Sequence, residues 1–298
     1  MYEQEYLWKY LSLDKFVSIL ENNGLYFTTI HNLKQNIEPD ECCILDYYLK
    51  FQHDDANKLQ EEISFVKRLT PEVEKIINED KEILTVVEKM KKFYEKFEKS
   101  KNDFSSICKD AVQNIFICSF TNDIVESYAL WKIYPTDLNG NQQINQGIAI
   151  RFAKEHLLNI FKQPTFVFED GTSIRKYRVF LKKMRYESRD KIIEYAKQLK
   201  DCNNCRTFYD LIHSLKIEYY KYEKEERAVI QMFAENNNCN GGFLKISPKD
   251  LFKVGHTEIH ISPFATKSLA SYVEFLLKKF ELDTDILIKK SDIQVATT

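Results

Sequence analysis

The sequence predicts an α+β fold built on a mixed, mostly antiparallel sheet. Runs rich in aromatic and β-branched residues interleave with runs of helical spacing, in no regular βαβ rhythm and with no internal repeat. Glycine is scarce, 7 in 298 positions, where average usage of about 7% predicts roughly 20. Gly24, Gly140, Gly147, Gly171, Gly241, Gly242 and Gly255 nowhere take the spacing G-x-G-x-x-G or G-x-x-x-x-G-K. Neither a dinucleotide fingerprint nor a P-loop can therefore be built, and a phosphorylated ligand would need something other than a glycine cradle.

The elements follow in order. Tyr6 to Leu11 reads as an aromatic strand, and Leu13 to Leu20 as a helix with Ser12 at its N-cap and Gly24 where a C-cap belongs. Leu25 to Thr29 is a second strand. From about Ala56 to Lys99 the chain is rich in Glu, Lys and Leu-like residues and restarts at Pro71, which predicts a helical insertion over 56–112 within a single domain spanning 1–298. Strands return at Asn114 to Phe120 and Gln146 to Phe152, around a helical turn at Glu126 to Tyr134. A helix over Lys154 to Phe161 and strands at Thr165 to Glu169 and Arg178 to Tyr186 follow. The rest is a helix over Lys191 to Ile212, a strand over Glu226 to Phe233, a turn over Glu235 to Gly242, and a short helix after Ser247-Pro248. A strand at Glu258 to Ser262, a helix from Thr266 to Phe280 and a strand at Ile286 to Ile288 close the fold.

Composition narrows the function. Lys and Arg number 43 against 45 Asp and Glu, a net charge of −2, so there is no whole-molecule footprint for nucleic acid or an anionic membrane. No secretory signal or apolar span of membrane length is present. Seven scattered cysteines fit a reducing cytoplasm. Cys202-x-x-Cys205 lacks the second ligand pair of a structural zinc site, and His256 and His260 do not form H-E-x-x-H. No metal is expected.

The most chemically suggestive segment is Tyr220 to Arg227. On a strand, residues two apart share a face, so Glu223, Glu225 and Arg227 line one side at the entry to an otherwise apolar strand, where carboxylates can be tuned by their neighbours or simply form a surface ion-pair ladder. Trp131 with Tyr134 can stack a planar ligand or anchor a helix. Lys9, between Trp8 and Tyr10, is a lysine in an aromatic strand, where an edge position would explain it.

In order, Leu7-Trp8-Lys9-Tyr10, Glu38-Pro39-Asp40-Glu41, Cys118-Ser119-Phe120 with Trp131 and Tyr134, Gly147-Ile148-Ala149-Ile150-Arg151-Phe152, Tyr222-Glu223-Lys224-Glu225-Glu226-Arg227 and Ser291-Asp292-Ile293 resemble the motifs of the bacterial domain of unknown function 2971. Glu38 stands where that family usually has aspartate, and a tyrosine replaces its tryptophan before the acidic motif. More loosely, Lys9, Phe27-Thr28-Thr29 and Glu223-Lys224-Glu225 are similar in order to the motifs of toxin-type ADP-ribosyltransferases, with lysine in place of their arginine.

That second resemblance implies a split sheet and a cytoplasmic NAD-consuming effector, a toxin or phage-defence component modifying a protein or nucleic-acid acceptor. Glu225 would be the catalytic carboxylate and Glu223 would position the acceptor. Lys9 would meet the pyrophosphate, Thr28 and Thr29 would shape the nicotinamide pocket, and Tyr26 or Tyr222 would stack on the ring. Tyr10 and Arg227 complete the cofactor set, with Glu41, Trp131 and Tyr134 beside it. The competing readings are a non-catalytic sensor or adaptor, and a metal-dependent nuclease using Glu41, Glu223 and Glu225. A catalytic site built as that resemblance implies should have Lys9, Thr28 and Glu225 around a single concave pocket, whereas an adaptor would leave them apart.

Overall fold

A computed structural model describes residues 4–51, 53, 54, 57, 112–137, 139–162, 165–175, 177–202, 205–232, 239–282 and 286–294. Nearly all of the expected helical insertion over 56–112 lies outside them. The chain divides into two compact units. Unit 1 takes Met1–Glu41, Gln113–Tyr186 and Lys216–Thr298, and unit 2 takes Cys42–Val112 and Glu187–Leu215. The second unit contains residues 43–51, which are helical, and two helices, α5 (Arg189–Cys202) and α6 (Cys205–Ser214), where one was expected. It buries Tyr48, Ile192, Ala196, Leu211 and Ile212. Cys202 and Cys205 end and begin these helices.

The first unit is α+β, on a mixed and mostly antiparallel sheet of 11 strands. Its strands are β1 (Tyr6–Ser12), β2 (Gly24–Thr29), β3 (Ile115–Thr121), β4 (Gly147–Ala153), β5 (Thr165–Phe168), β6 (Ser173–Ile174), β7 (Val179–Lys183), β10 (Glu225–Gln231), β11 (Gly241–Lys245), β12 (Thr257–Ile261) and β13 (Leu287–Lys290). Short strands β8 (Arg185–Glu187) and β9 (Leu215–Ile217) stand apart from it. The helices are α1 (Leu13–Glu21), α2 (Ile30–Asn36), α3 (Tyr128–Ile133), α4 (Lys154–Ile160), α7 (Pro248–Leu251) and α8 (Ser268–Lys279).

Strand β3 is the junction. Along one edge it pairs antiparallel with β10 from Thr121↔Glu225 to Ile115↔Gln231. Its other edge is divided between two strands, β1 at Trp8↔Thr121 and β2 at Thr28↔Ile117 and Thr29↔Phe116. No described strand pairs with Cys118 to Phe120 on that edge, so the sheet splits there. One arm continues through β4 and β12 to β13, and the other through β11 and β5 to β6. Strand alternation then assigns the faces. Leu7 and Leu11, Phe116, Cys118 and Phe120, and Ala228 and Ile230 join the main core, with Phe16, Ile19 and Leu20 of α1 and Val273 and Leu277 of α8. The opposite face carries Trp8, Tyr10, Thr121, Glu225 and Arg227.

Several local expectations change. Ser12 makes no N-cap hydrogen bond to α1; its Oγ instead donates to the Thr136 carbonyl at 2.8 Å. Gly24 is not a C-cap. Asn22 ends α1, Asn23 takes the left-handed turn at φ 51°, and Gly24 opens β2. A Cβ there would lie 2.2 Å from the Leu244 carbonyl oxygen, and one on Gly242 2.6 Å from that of Val167. Both glycines therefore permit close strand approach in an otherwise glycine-poor chain. Because each clash is with backbone, Gly242→Ala is expected to cost about 1–3 kcal/mol or more, read as a lower urea midpoint; an unchanged midpoint would contradict the tight β11–β5 approach.

Candidate functional site

A buried cluster of ionic side chains forms on the face opposite the main core, entirely within unit 1. Arg227 projects from β10 with no solvent exposure. Its Nη1 and Nη2 donate to the two Glu41 oxygens at 2.7 and 2.8 Å, a bidentate pair that suits the planar guanidinium. Its Nε and Nη2 donate to the Glu225 oxygens at 2.7 and 3.0 Å. Glu225 and Arg227 share a face because they are two apart on one strand, and Glu41 reaches them from the segment after α2.

Glu223 does not lie on that strand. Residues Glu218–Glu223 form a 3₁₀ helix that ends at Lys224, left-handed at φ 45°, and β10 begins only at Glu225. The kink still brings both carboxylates to a common partner, Lys216 of β9. Its Nζ lies 2.7 Å from Glu38, 2.7 Å from Glu223 and 3.4 Å from Glu225, with the lysine side chain 2% exposed. The same ammonium sits 4.5 Å from the centre of the Tyr220 ring. Tyr134 hydrogen-bonds to Glu223, and Ser119 to Glu225. The Glu225 backbone N–H donates to the Tyr186 hydroxyl at 2.7 Å.

Four carboxyls thus surround two cations, and their environments drive them apart. Burial alone would raise Glu225, but Arg227 and then Lys216 hold it well below the usual carboxylate range. Burial raises Glu223, with Lys216 opposing. At Glu38 burial dominates Lys216, and the neighbouring charge of Glu41 adds to it, lifting the carboxyl to about 7. Burial and the nearby Glu223 and Glu225 charges raise the Tyr134 phenol, which stays protonated as a donor.

The raised carboxyl has a consequence for stability. Between the ordinary value of 4.5 and about 7, folded Glu38 binds more proton than unfolded Glu38, so its contribution favours the native state at low pH and is lost as pH rises through about 7. Glu38→Gln is expected to reduce the decline in stability over that window, measured by urea unfolding at a series of pH values. An unaltered pH dependence would contradict the assignment.

The aromatic residues expected near the site are beside it. Tyr10 meets Trp131 edge-to-face at 5.0 Å, and Trp8, Tyr10, Leu130, Trp131 and Ala149 form a second apolar cluster with Tyr134 packed against it. Trp131 is fully buried and its Nε1 donates to Glu126 at 3.1 Å, so it anchors α3 and offers no stacking face. Glu126 also accepts from Ser291 and meets His260 Nδ1 at 2.7 Å. The His260 Nε2 lies 3.2 Å from Glu258, which Arg151 and Lys289 also contact at 3.0 and 3.1 Å. This network ties β12, β13 and the Ser291-Asp292-Ile293 segment to the back of α3.

Other expected residues stand elsewhere. Trp8, Thr121 and Glu225 align in register on one face, so Lys9, the next residue in β1, belongs to the other. Its Nζ lies 3.2 Å from Cys118 Sγ and 3.3 Å from the Ser119 carbonyl. Thr28 shares the Glu225 face, but its Oγ1 accepts from Asn32 Nδ2 at 2.9 Å. Thr29 points to the other face and caps α2, Tyr26 donates to Glu169 at 2.6 Å, and Tyr222 is half exposed. The trio Lys9, Thr28 and Glu225 is therefore not gathered in one pocket. Conversely, Lys216 and Glu38 belong to the cluster, although Glu38 came forward only as a motif position and not as a site residue, and Lys216 not at all; its signal was a lysine inside the apolar run Leu215-Lys216-Ile217.

Glu41, Glu223 and Glu225 do converge, but Arg227 and Lys216 already occupy the position between them. What the arrangement offers chemically is a carboxyl titrating near neutrality and a second carboxylate across one ammonium, beside two tyrosines. No family model matches the chain, and no curated protein or solved structure matches it either.

Proposed function

We propose that the protein is an NAD-consuming enzyme of ADP-ribosyltransferase type, with its chemistry at Glu38 and Glu223 in place of Glu225. The observation that carries this reading is the pair of carboxyls held 2.7 Å from one lysine ammonium, Glu38 and Glu223, with the Glu38 carboxyl lifted to about 7. Cleavage of the nicotinamide glycosidic bond is served by such a pair, one group to hydrogen-bond the departing nicotinamide and one anion to stabilise the oxocarbenium-like transition state. The choice of NAD rests on the Glu-x-Glu resemblance; the clustered carboxyls with Tyr134 and Tyr220 favour a cationic ring and a developing positive charge.

In this mechanism protonated Glu38, the more exposed of the two at 18% of its side chain, donates a hydrogen bond to the carboxamide of the nicotinamide, whose ring nitrogen takes back the bonding pair and leaves neutral without needing a proton. Glu223 faces the anomeric carbon, and Tyr134 orients it by hydrogen bonding. Glu225, Arg227 and Glu41 form the rigid base beneath, fixing the turn that presents Glu223. The acceptor is a protein or nucleic acid, or water. Incubation of the protein with NAD, with and without cell lysate, tests this by free nicotinamide; no release in either condition overturns it.

A second reading, a non-catalytic sensor or adaptor, is favoured by the separation of Lys9 from Glu225 across the sheet. In that case the ionic cluster fixes the conformation of the 3₁₀ turn, and the exposed Ile124 and Val125 offer partner surface. It is distinguished by the same assay, which it requires to be silent.

A further inference from the structure

We propose that Lys9 and Cys118 form an oxidative covalent cross-link, a sulfenamide between Nζ and Sγ, at the point where the sheet splits. The two atoms are 3.2 Å apart, on different strands and on the face away from the ionic cluster. Three further observations support the pair. Cys118 is a free cysteine, 2% exposed, so a bulky thiol does not reach Sγ and the Lys9 nitrogen is the nucleophile beside it. Lys9 is only partly buried and stands beside the stretch of the β3 edge that pairs with no described strand. Lys9 makes no ion pair among the described residues; its ammonium is held by Cys118 Sγ, the Ser119 carbonyl and the Phe120 ring at 5.2 Å. The Lys9 nitrogen is thus held against Sγ, and once it has given a proton to solvent it is the nucleophile that the step needs.

The chemistry balances with hydrogen peroxide as the named oxidant. The thiol gives two electrons to the peroxide O–O bond, yielding the sulfenic acid and one water. The Lys9 amine then attacks Sγ, the S–O bond breaks, and the hydroxyl leaves as a second water with one amine proton. The product is an S–N bond that thiol reductants cleave. It would join β1 to β3 where the ladder supplies a single residue pair, Trp8↔Thr121.

Treating the full-length protein with excess hydrogen peroxide, then digesting it without reduction, tests this. The expected product is one linked species containing the Lys9 and Cys118 peptides, lighter than their sum by two hydrogens and restored to separate peptides by dithiothreitol. Cys118→Ser and Lys9→Met should each abolish it, and Lys9→Met should leave Cys118 as the free sulfenic acid, trapped by dimedone. If wild-type Cys118 is instead labelled by dimedone while Lys9 remains free to acetylate, or if neither residue is altered by peroxide, the proposal fails. Because Lys9 lies outside the Glu38–Glu223 site, the result is independent of NAD turnover.

Discussion

Replacing Arg227 by methionine is expected to destabilise unit 1 by about 3–5 kcal/mol, the range found when one partner of a buried ionic pair is removed. The guanidinium has no exposed surface and makes four hydrogen bonds at 2.7 to 3.0 Å, two to Glu41 and two to Glu225. Methionine fills much of the volume but leaves two carboxylates facing each other away from water. A loss of that size is a large part of a typical domain stability of about 5–15 kcal/mol. Adding Glu41→Gln should recover part of it, because the remaining site then has one charge fewer to desolvate. Urea unfolding of the single and double variants gives the answer; a single variant within about 0.5 kcal/mol of the parent would mean that the network is not formed in solution.

The second large effect is on catalysis. Glu223→Gln keeps the shape of the side chain and can still accept from Lys216, yet removes the anion that faces the developing positive charge. Nicotinamide release is expected to fall about 100- to 1,000-fold, with the fold intact because Glu225, Arg227 and Glu41 keep their contacts. Glu38→Gln should act differently. With its carboxyl lifted to about 7, the parent loses its hydrogen-bond donor to the leaving nicotinamide, and hence activity, as pH rises through about 7; the variant, whose amide donates at every pH, should lack that limb.

Much of unit 1 was legible in sequence because its signals are local. Aromatic and β-branched runs marked β1 to β4 and β12 within a residue or two, and Ser247-Pro248 marked α7. β11 was missed because Gly241 and Gly242 read as a turn, whereas their missing Cβ atoms admit the neighbouring backbones. The helix expected over Lys191 to Ile212 is two, α5 ending at Cys202 and α6 beginning at Cys205; the turn-favouring pair Asn203-Asn204 was the sequence signal passed over. Glu223 was placed on a strand by a period-two count that the left-handed Lys224 interrupts.

The site was half legible for the same reason. Glu41, Glu223, Glu225, Arg227 and Tyr134 came forward from their motifs and do meet, although 186 positions separate Glu41 from Arg227. Lys9, Thr28 and Thr29 came forward in the right order along the chain, but order does not fix which face of a strand a side chain takes. One register, Trp8↔Thr121↔Glu225, puts Lys9 on the far side. Lys216 lay in no motif at all, and only three-dimensional contact reveals that one ammonium serves three carboxylates.

The measurement that tests this account most directly is nicotinamide release from NAD by the parent protein, Glu223→Gln and Glu225→Gln, each checked for folding by its unfolding midpoint. Release by the parent, lost in folded Glu223→Gln, with a pH limb near 7 that Glu38→Gln removes, is the predicted result. No release by the folded parent, or undiminished release by Glu223→Gln, would contradict it.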